Sequence, residues 1–182
     1  TLIYLAILLP RREQSETFSV RDLPALIRQR EIACIYVMTV LFATAYFTVY
    51  SYIEPFLHSV AVFSPDMITL TLMLLGVSGI LASLIFSRTY GRHRFVLLRL
   101  TLVIVSAALL LWQAAAVSLP TMLLLCIIIG TAATLYNTVF QAEILHIAPK
   151  SATTVAMSIY SGIFNLGIGS GTYLGALATD SG

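Results

Sequence analysis

Five apolar stretches set the terms for this chain: residues 32–53, 67–87, 95–117, 120–148 and 152–178 each exceed 20 residues. A helix of about 20 apolar residues crosses the roughly 30 Å hydrocarbon core of a bilayer. Lipid offers no partner to a free backbone amide, so such a run crosses as a helix. Only 10% of the 182 residues are charged and mean hydropathy is +0.95, whereas a soluble domain carries about 25% charged residues. That shortage of charge excludes a soluble enzyme, a nucleic-acid binder and a disordered tail. A net charge of +2 names no polyanionic partner. Cys34 and Cys126 lie far apart within apolar runs. They read as small buried hydrophobes, neither a disulfide framework nor a metal box.

Residues 1–9 are apolar but too short to cross, and read as the end of a preceding transmembrane helix whose start is missing. They are no signal peptide, because basic residues follow the apolar run instead of leading it. Residues 179–182 stop just beyond the last stretch, so the chain reads as a fragment. Its expected parts are that helix end (1–9), a cytoplasmic linker (10–31) and a five-helix transmembrane domain (32–182). In the linker, Asp22 can cap a short amphipathic helix opening at Leu23-Pro24, with Leu23, Leu26 and Ile27 on one face. The alternative is an unstructured connector.

Orientation follows from basic residues in the short loops. Arg11, Arg12, Arg21, Arg28 and Arg30 precede the first span; Arg88, Arg92, Arg94 and Arg99 cluster between the second and third; Lys150 stands between the fourth and fifth. The connection at 56–66 and the turn at Ser118-Leu119 carry none, so all ten Lys and Arg fall on one side, assigned to the cytoplasm. Trp112 falls near the outer end of its span, where an indole suits the interfacial belt.

Polar side chains within lipid turn toward a cavity or a partner helix. On the first span Tyr36, Thr39, Tyr46, Tyr50 and Glu54 fall within about 80° of one another, at ~100° per residue. On the fourth, Thr134, Asn137 and Gln141 recur at three- and four-residue steps, and on the fifth Ser158, Ser161, Asn165 and Thr172 do likewise. Amides, hydroxyls and phenols around one volume suit a neutral, polyhydroxylated ligand. A single Ser or Thr is expected to bond its own helix instead, and an amide can also join two helices. Asn137, Gln141 and Asn165, as a set, are assigned to the cavity, with Tyr46, Phe47 and Tyr50 as its aromatic side. Gly167, Gly171 and Gly175 repeat every four residues, about 200° round from Asn165, as a ridge for close packing.

Glu54 precedes Pro55, where the helix is expected to stop, so Glu54 reads as an outer-rim anchor. Arg99 is close enough to the cytoplasmic end to snorkel. Glu143, near the same end of the fourth span, either pairs with a basic residue across an inner gate or is solvated. His58, His93 and His146 sit at membrane edges without metal-ligand spacing, so no metal or cofactor is expected.

The run Tyr50-Ser51-Tyr52-Ile53-Glu54-Pro55-Phe56 and residues 155–169 (VAMSIYSGIFNLGIG) resemble the bacterial sugar efflux transporters, twelve-helix major facilitator proteins related to drug:proton antiporters. The similarity extends over nearly the whole chain. It implies an all-α transmembrane C-terminal half of a major facilitator fold: the end of helix 6, the central linker and helices 7 to 11, with helix 12 absent. By this resemblance the protein sits in the bacterial inner membrane and packs against a missing N-terminal half. The implied activity is proton-driven export of sugars, arabinose or related glycosides, by alternating access; its partners are the sugar, protons and the bilayer. The Gly91-Arg92-His93-Arg94 loop resembles the second copy of the facilitator loop motif, whose arginines would brace an inner gate, and Arg88, Arg92 and Glu143 are the expected gating residues. Arg88 stands where that motif usually places an acid. The coupling carboxylate is expected outside this chain, since no acidic residue falls mid-membrane.

Export of drugs or nucleosides by a relative is the competing reading. A non-transporting membrane structural or sensor protein is a third. No catalytic residue is assigned: an intramembrane serine protease needs a Gly-x-Ser-Gly motif and a deep His, and Ser170 has Ile168 where that glycine belongs.

Overall fold

The computed structural model describes residues 23–180, with side chains through residue 178. The expectations for residues 1–9, for the Asp22 cap and for Arg11, Arg12 and Arg21 lie outside the described residues. The described chain is all-α: α1 (Leu23–Arg28), α2 (Arg30–Tyr50), α3 (Ile53–Ser59), α4 (Pro65–Leu110), α5 (Trp112–Ala115), α6 (Leu119–Ile147) and α7 (Thr153–Asp180). Helix α1 fills the place of the expected amphipathic turn. Its buried face is narrower than the sequence suggested, because Leu26 is buried while Ile27 is exposed.

The first span departs from expectation at its outer end. Helix α2 stops at Tyr50, before Glu54-Pro55, and α3 resumes at Ile53 and runs through Pro55 to Ser59. Pro55 falls in the first turn of α3, where its missing N–H is not needed. Glu54 therefore opens a helix rather than closing one, with its carboxylate near the partial positive charge of that end.

Helix α4 runs 46 residues, which would be about 69 Å if straight. It is not straight. Ile68 and Ala108 share one packed cluster with Met122, Cys126 and Ile129, although they stand 40 residues apart, about 60 Å on a straight helix. The chain therefore doubles back inside α4, and the single residue with non-helical angles is His93, at φ −135° and ψ 39°. The second and third expected spans are the two arms of this hairpin. Three segments are long and apolar enough to cross a membrane: Arg30–Ser59, Pro65–Leu110 and Leu119–Ile147. Helix α7, expected as a further span, has the length at 28 residues but falls outside that set. Its serines, Asn165 and glycines dilute the apolar residues.

Two helix pairs carry the packing, α4 with α6 and α2 with α7. Both rely on backbone approaching backbone at glycine. A Cβ on Gly130 of α6 would strike the Ser78 side chain and, at 2.7 Å, the Leu75 carbonyl oxygen of α4. On α7, a Cβ at Gly167 would meet Ala43 and the Val40 carbonyl, and one at Gly171 would meet the Thr44 carbonyl and the Thr48 amide of α2. The four-residue glycine ridge thus does what its spacing suggested.

Two further expectations are corrected. Cys126 is fully buried, but Cys34 is exposed on α2. Trp112, expected in the interfacial belt, is buried among Ile53, Leu57 and Met122. The break at Leu111 lets the short helix α5 turn the indole inward, where it lies 6.1 Å from the Phe56 ring.

Candidate functional site

Helices α2, α6 and α7 bring part of the sequence pattern together, the amides Asn137 and Gln141 and the rings Tyr46, Phe47 and Tyr50. On α6, Asn137 and Gln141 stand one turn apart, and Gln141 Nε2 donates to Asn137 Oδ1 at 3.0 Å. The same oxygen accepts from the Tyr160 hydroxyl of α7 at 2.7 Å. Asn137 Nδ2 and Gln141 Oε1 make no hydrogen bond to the described residues, and both side chains are only half-buried. A donor and an acceptor are left without a partner among the described residues, the pair a ligand hydroxyl needs.

Beside these amides runs a continuous line of rings. Tyr136 stacks on Phe140 at 4.1 Å between centroids and on Phe42 at 3.8 Å. Phe42 stacks on Tyr46 at 5.7 Å, and Tyr46 on Tyr50 at 5.5 Å. Phe47 meets Tyr46 edge-on at 5.3 Å and reaches Phe164 of α7 at 6.0 Å, which in turn stacks on Tyr160 at 6.3 Å. Tyr46, Phe47 and Tyr50 are thus in mutual contact, joined to Asn137 through Phe164 and Tyr160. Tyr36 leaves the group: its hydroxyl donates to the Ala156 carbonyl at 2.9 Å and ties α2 to α7.

Asn165 is not part of this contact network. Its Nδ2 donates to the Ser161 carbonyl of its own helix at 2.8 Å, and its side chain is exposed. Ser158, Ser161 and Thr172 are exposed on the same helix, so the α7 stripe faces outward from the described bundle. The remaining hydroxyls behave as isolated ones should. Thr39, Thr48, Thr71, Thr101, Thr138, Ser158 and Ser170 each donate to the carbonyl four residues back.

A second constellation forms at the basic ends of the helices. Glu143 of α6 is buried, 4% exposed. It accepts from the Tyr90 hydroxyl at 3.0 Å and lies 4.0 Å from Arg94 Nε. Burial, then the hydrogen bond to Glu143 and its charge, pushes the Tyr90 phenol up to about 12. Arg88 and Arg92, expected with Glu143 as gating residues, are exposed, and Arg94 of the same loop is the basic residue that approaches Glu143. Tyr90 and Arg94 flank the reversal at His93, so one buried carboxylate fixes both sides of the hairpin bend to α6.

Sequence reasoning missed Tyr160, Phe164, Tyr136 and Phe42 at the first site and Tyr90 at the second, where it had Arg94 only as one of the arginines bracing an inner gate. Tyr160 and Phe164 are spaced as one-turn neighbours, as are Tyr90 and Arg94, and that spacing was the available signal. Among the described residues, no group of three His, Cys, Asp or Glu side chains comes together to hold a metal.

Apolar spans doubling back on one another define a multi-pass helical membrane protein. Residues 1–172 match the Major Facilitator Superfamily, and the chain belongs to that superfamily of membrane transporters.

Proposed function

We propose that this chain is part of an exporter of small neutral sugars, arabinose or related glycosides, driven by inward proton flow. The observation that carries this reading is the half-buried Asn137–Gln141 pair beside the rings of Tyr46, Phe47, Phe164 and Tyr160. A sugar offers hydroxyls at its rim and C–H groups on its faces. Amides meet the first and aromatic faces the second. The exposed α7 stripe of Ser158, Ser161, Asn165 and Thr172 supports a second half packed across a polar pathway. In this reading the arginine-bearing helix ends face the cytoplasm of a bacterial inner membrane. Glu143, Tyr90 and Arg94 hold the inner end of the hairpin, while Arg88 and Arg92 remain free to meet the other half. The coupling carboxylate lies in that half.

The test is efflux by the full-length transporter in vesicles carrying a pH gradient. Asn137→Ala is expected to lower arabinose export about tenfold, the value of one or two hydrogen bonds to a hydroxyl. Asn165→Ala is expected to lower it too, through the face shared with the second half. Unchanged sugar export in both variants overturns the site. The length of the aromatic line favours a second reading, export of flat drugs or nucleosides, which transport of lipophilic cations in place of arabinose would establish.

A further inference from the structure

An asparagine amide is nearly symmetric in shape but not in chemistry. Turning it over about its last torsion exchanges a carbonyl oxygen for an NH2 group. Its partners therefore decide which end a ligand meets. At Asn137 two donors converge on Oδ1, Gln141 Nε2 at 3.0 Å and the Tyr160 hydroxyl at 2.7 Å. A carbonyl oxygen has two lone pairs, so this one is saturated and Nδ2 is the end left over. Gln141, having given an N–H to that oxygen, keeps Oε1 as its acceptor.

The two amides could turn over together and preserve their mutual bond, with Gln141 Oε1 then accepting from Asn137 Nδ2. What opposes that reversal is Tyr160. Its hydroxyl proton would lose the acceptor it now has, and a buried donor without a partner is costly. The phenol is also held in place. Tyr160 is 1% exposed and shares a face of α7 with Ala156, one turn earlier, whose carbonyl receives the Tyr36 hydroxyl of α2 at 2.9 Å. The Phe164 ring stacks on it from the next turn. A phenol has one proton to donate, and this one goes to Asn137, so the hydroxyl acts on a ligand only through that amide.

We propose that Tyr160 is a positioning residue that sets substrate specificity. It locks the amide pair so that a ligand meets an N–H from Asn137 and a carbonyl from Gln141. The group selected must accept from the first and donate to the second, which a sugar hydroxyl does. An ammonium group offers protons only and meets the Asn137 N–H head-on. This inference rests on the reading of Asn137 and Gln141 as the sugar-facing pair and adds which hydrogen-bonding polarity that pair demands.

Equilibrium binding of arabinose and of an amino-deoxy-arabinose to the full-length transporter tests it. Tyr160→Phe keeps the ring and removes the donor. It is expected to weaken arabinose binding about fivefold, the worth of one hydrogen bond, and to narrow the preference for arabinose over the amino sugar by a similar factor. In an Asn137→Ala background the same change is expected to have no further effect on either ligand. Thr101→Val removes a buried hydroxyl of α4 that bonds only its own helix, and should leave affinity and preference unchanged. It separates lost stability from lost positioning. A preference unaltered by Tyr160→Phe overturns the proposal, and so does a loss of equal size with and without Asn137. Either result leaves the sugar site standing where Asn137→Ala alone weakens arabinose binding. Arabinose binding unchanged by Asn137→Ala removes the site and this proposal together.

Discussion

Tyr136 and Tyr160 carry the same hydroxyl on neighbouring helices and bond it oppositely. The Tyr136 hydroxyl is fully buried without a partner among the described residues, while that of Tyr160 donates to Asn137. A buried polar group without a hydrogen bond opposes folding, and a bonded one favours it modestly. Tyr136→Phe is therefore expected to leave thermal stability unchanged or raise it by up to ~1 kcal/mol, and Tyr160→Phe to lower it by about 1 kcal/mol. Thermal unfolding in detergent separates the two, and a larger loss from Tyr136→Phe would contradict the assignment. Tyr90 gives a pH prediction. Its folded pKa of about 12 exceeds the ordinary 10, so its neutral form is favoured by the fold. That contribution is complete below pH 10 and lost as the pH rises through about 12. An ultraviolet titration, taken as the difference between the unaltered protein and Tyr90→Phe, should show this phenol ionising after an unperturbed one.

At the scale of the helix, the two faces of α7 separate tolerated from forbidden substitutions. Gly171→Ala drives a methyl into the backbone of α2, which cannot yield, and should cost about 1–3 kcal/mol. Gly169→Ala points into open space and should be neutral or stabilising by about 0.5–1 kcal/mol in the same unfolding measurement. Equal losses would show that helix propensity, not contact with α2, decides both positions. This distinction was legible in the sequence, because four-residue spacing fixes a face whatever it packs against. The Asn137–Gln141 step was legible for the same reason. What spacing cannot supply is the partner across helices. Tyr160 reaches Asn137 only because the glycine ridge draws α7 against α2, and Arg94 rather than Arg88 reaches Glu143 because the chain turns at His93. The break at Ser51-Tyr52 was hidden too, since Pro55 nearby is the stronger stop signal and falls in a first turn that tolerates it.

At the scale of the molecule, the two helix pairs meet along the aromatic line, chiefly where Phe42 of α2 lies on Tyr136 of α6. Phe42→Ala should cost about 3–5 kcal/mol. It should also raise hydrogen exchange in α2 and α6, with little change along the glycine-packed α7. Uniform loosening of all helices would argue that the pairs are not separable units. The reversal at His93 bears on how such units can move. A hairpin with one non-helical residue at its bend holds no spare length, so neither arm of α4 can slide along its own axis without dragging the other. Displacement of one arm must arrive at its neighbour as a tilt, and the bend acts as a fixed pivot rather than a slack tether.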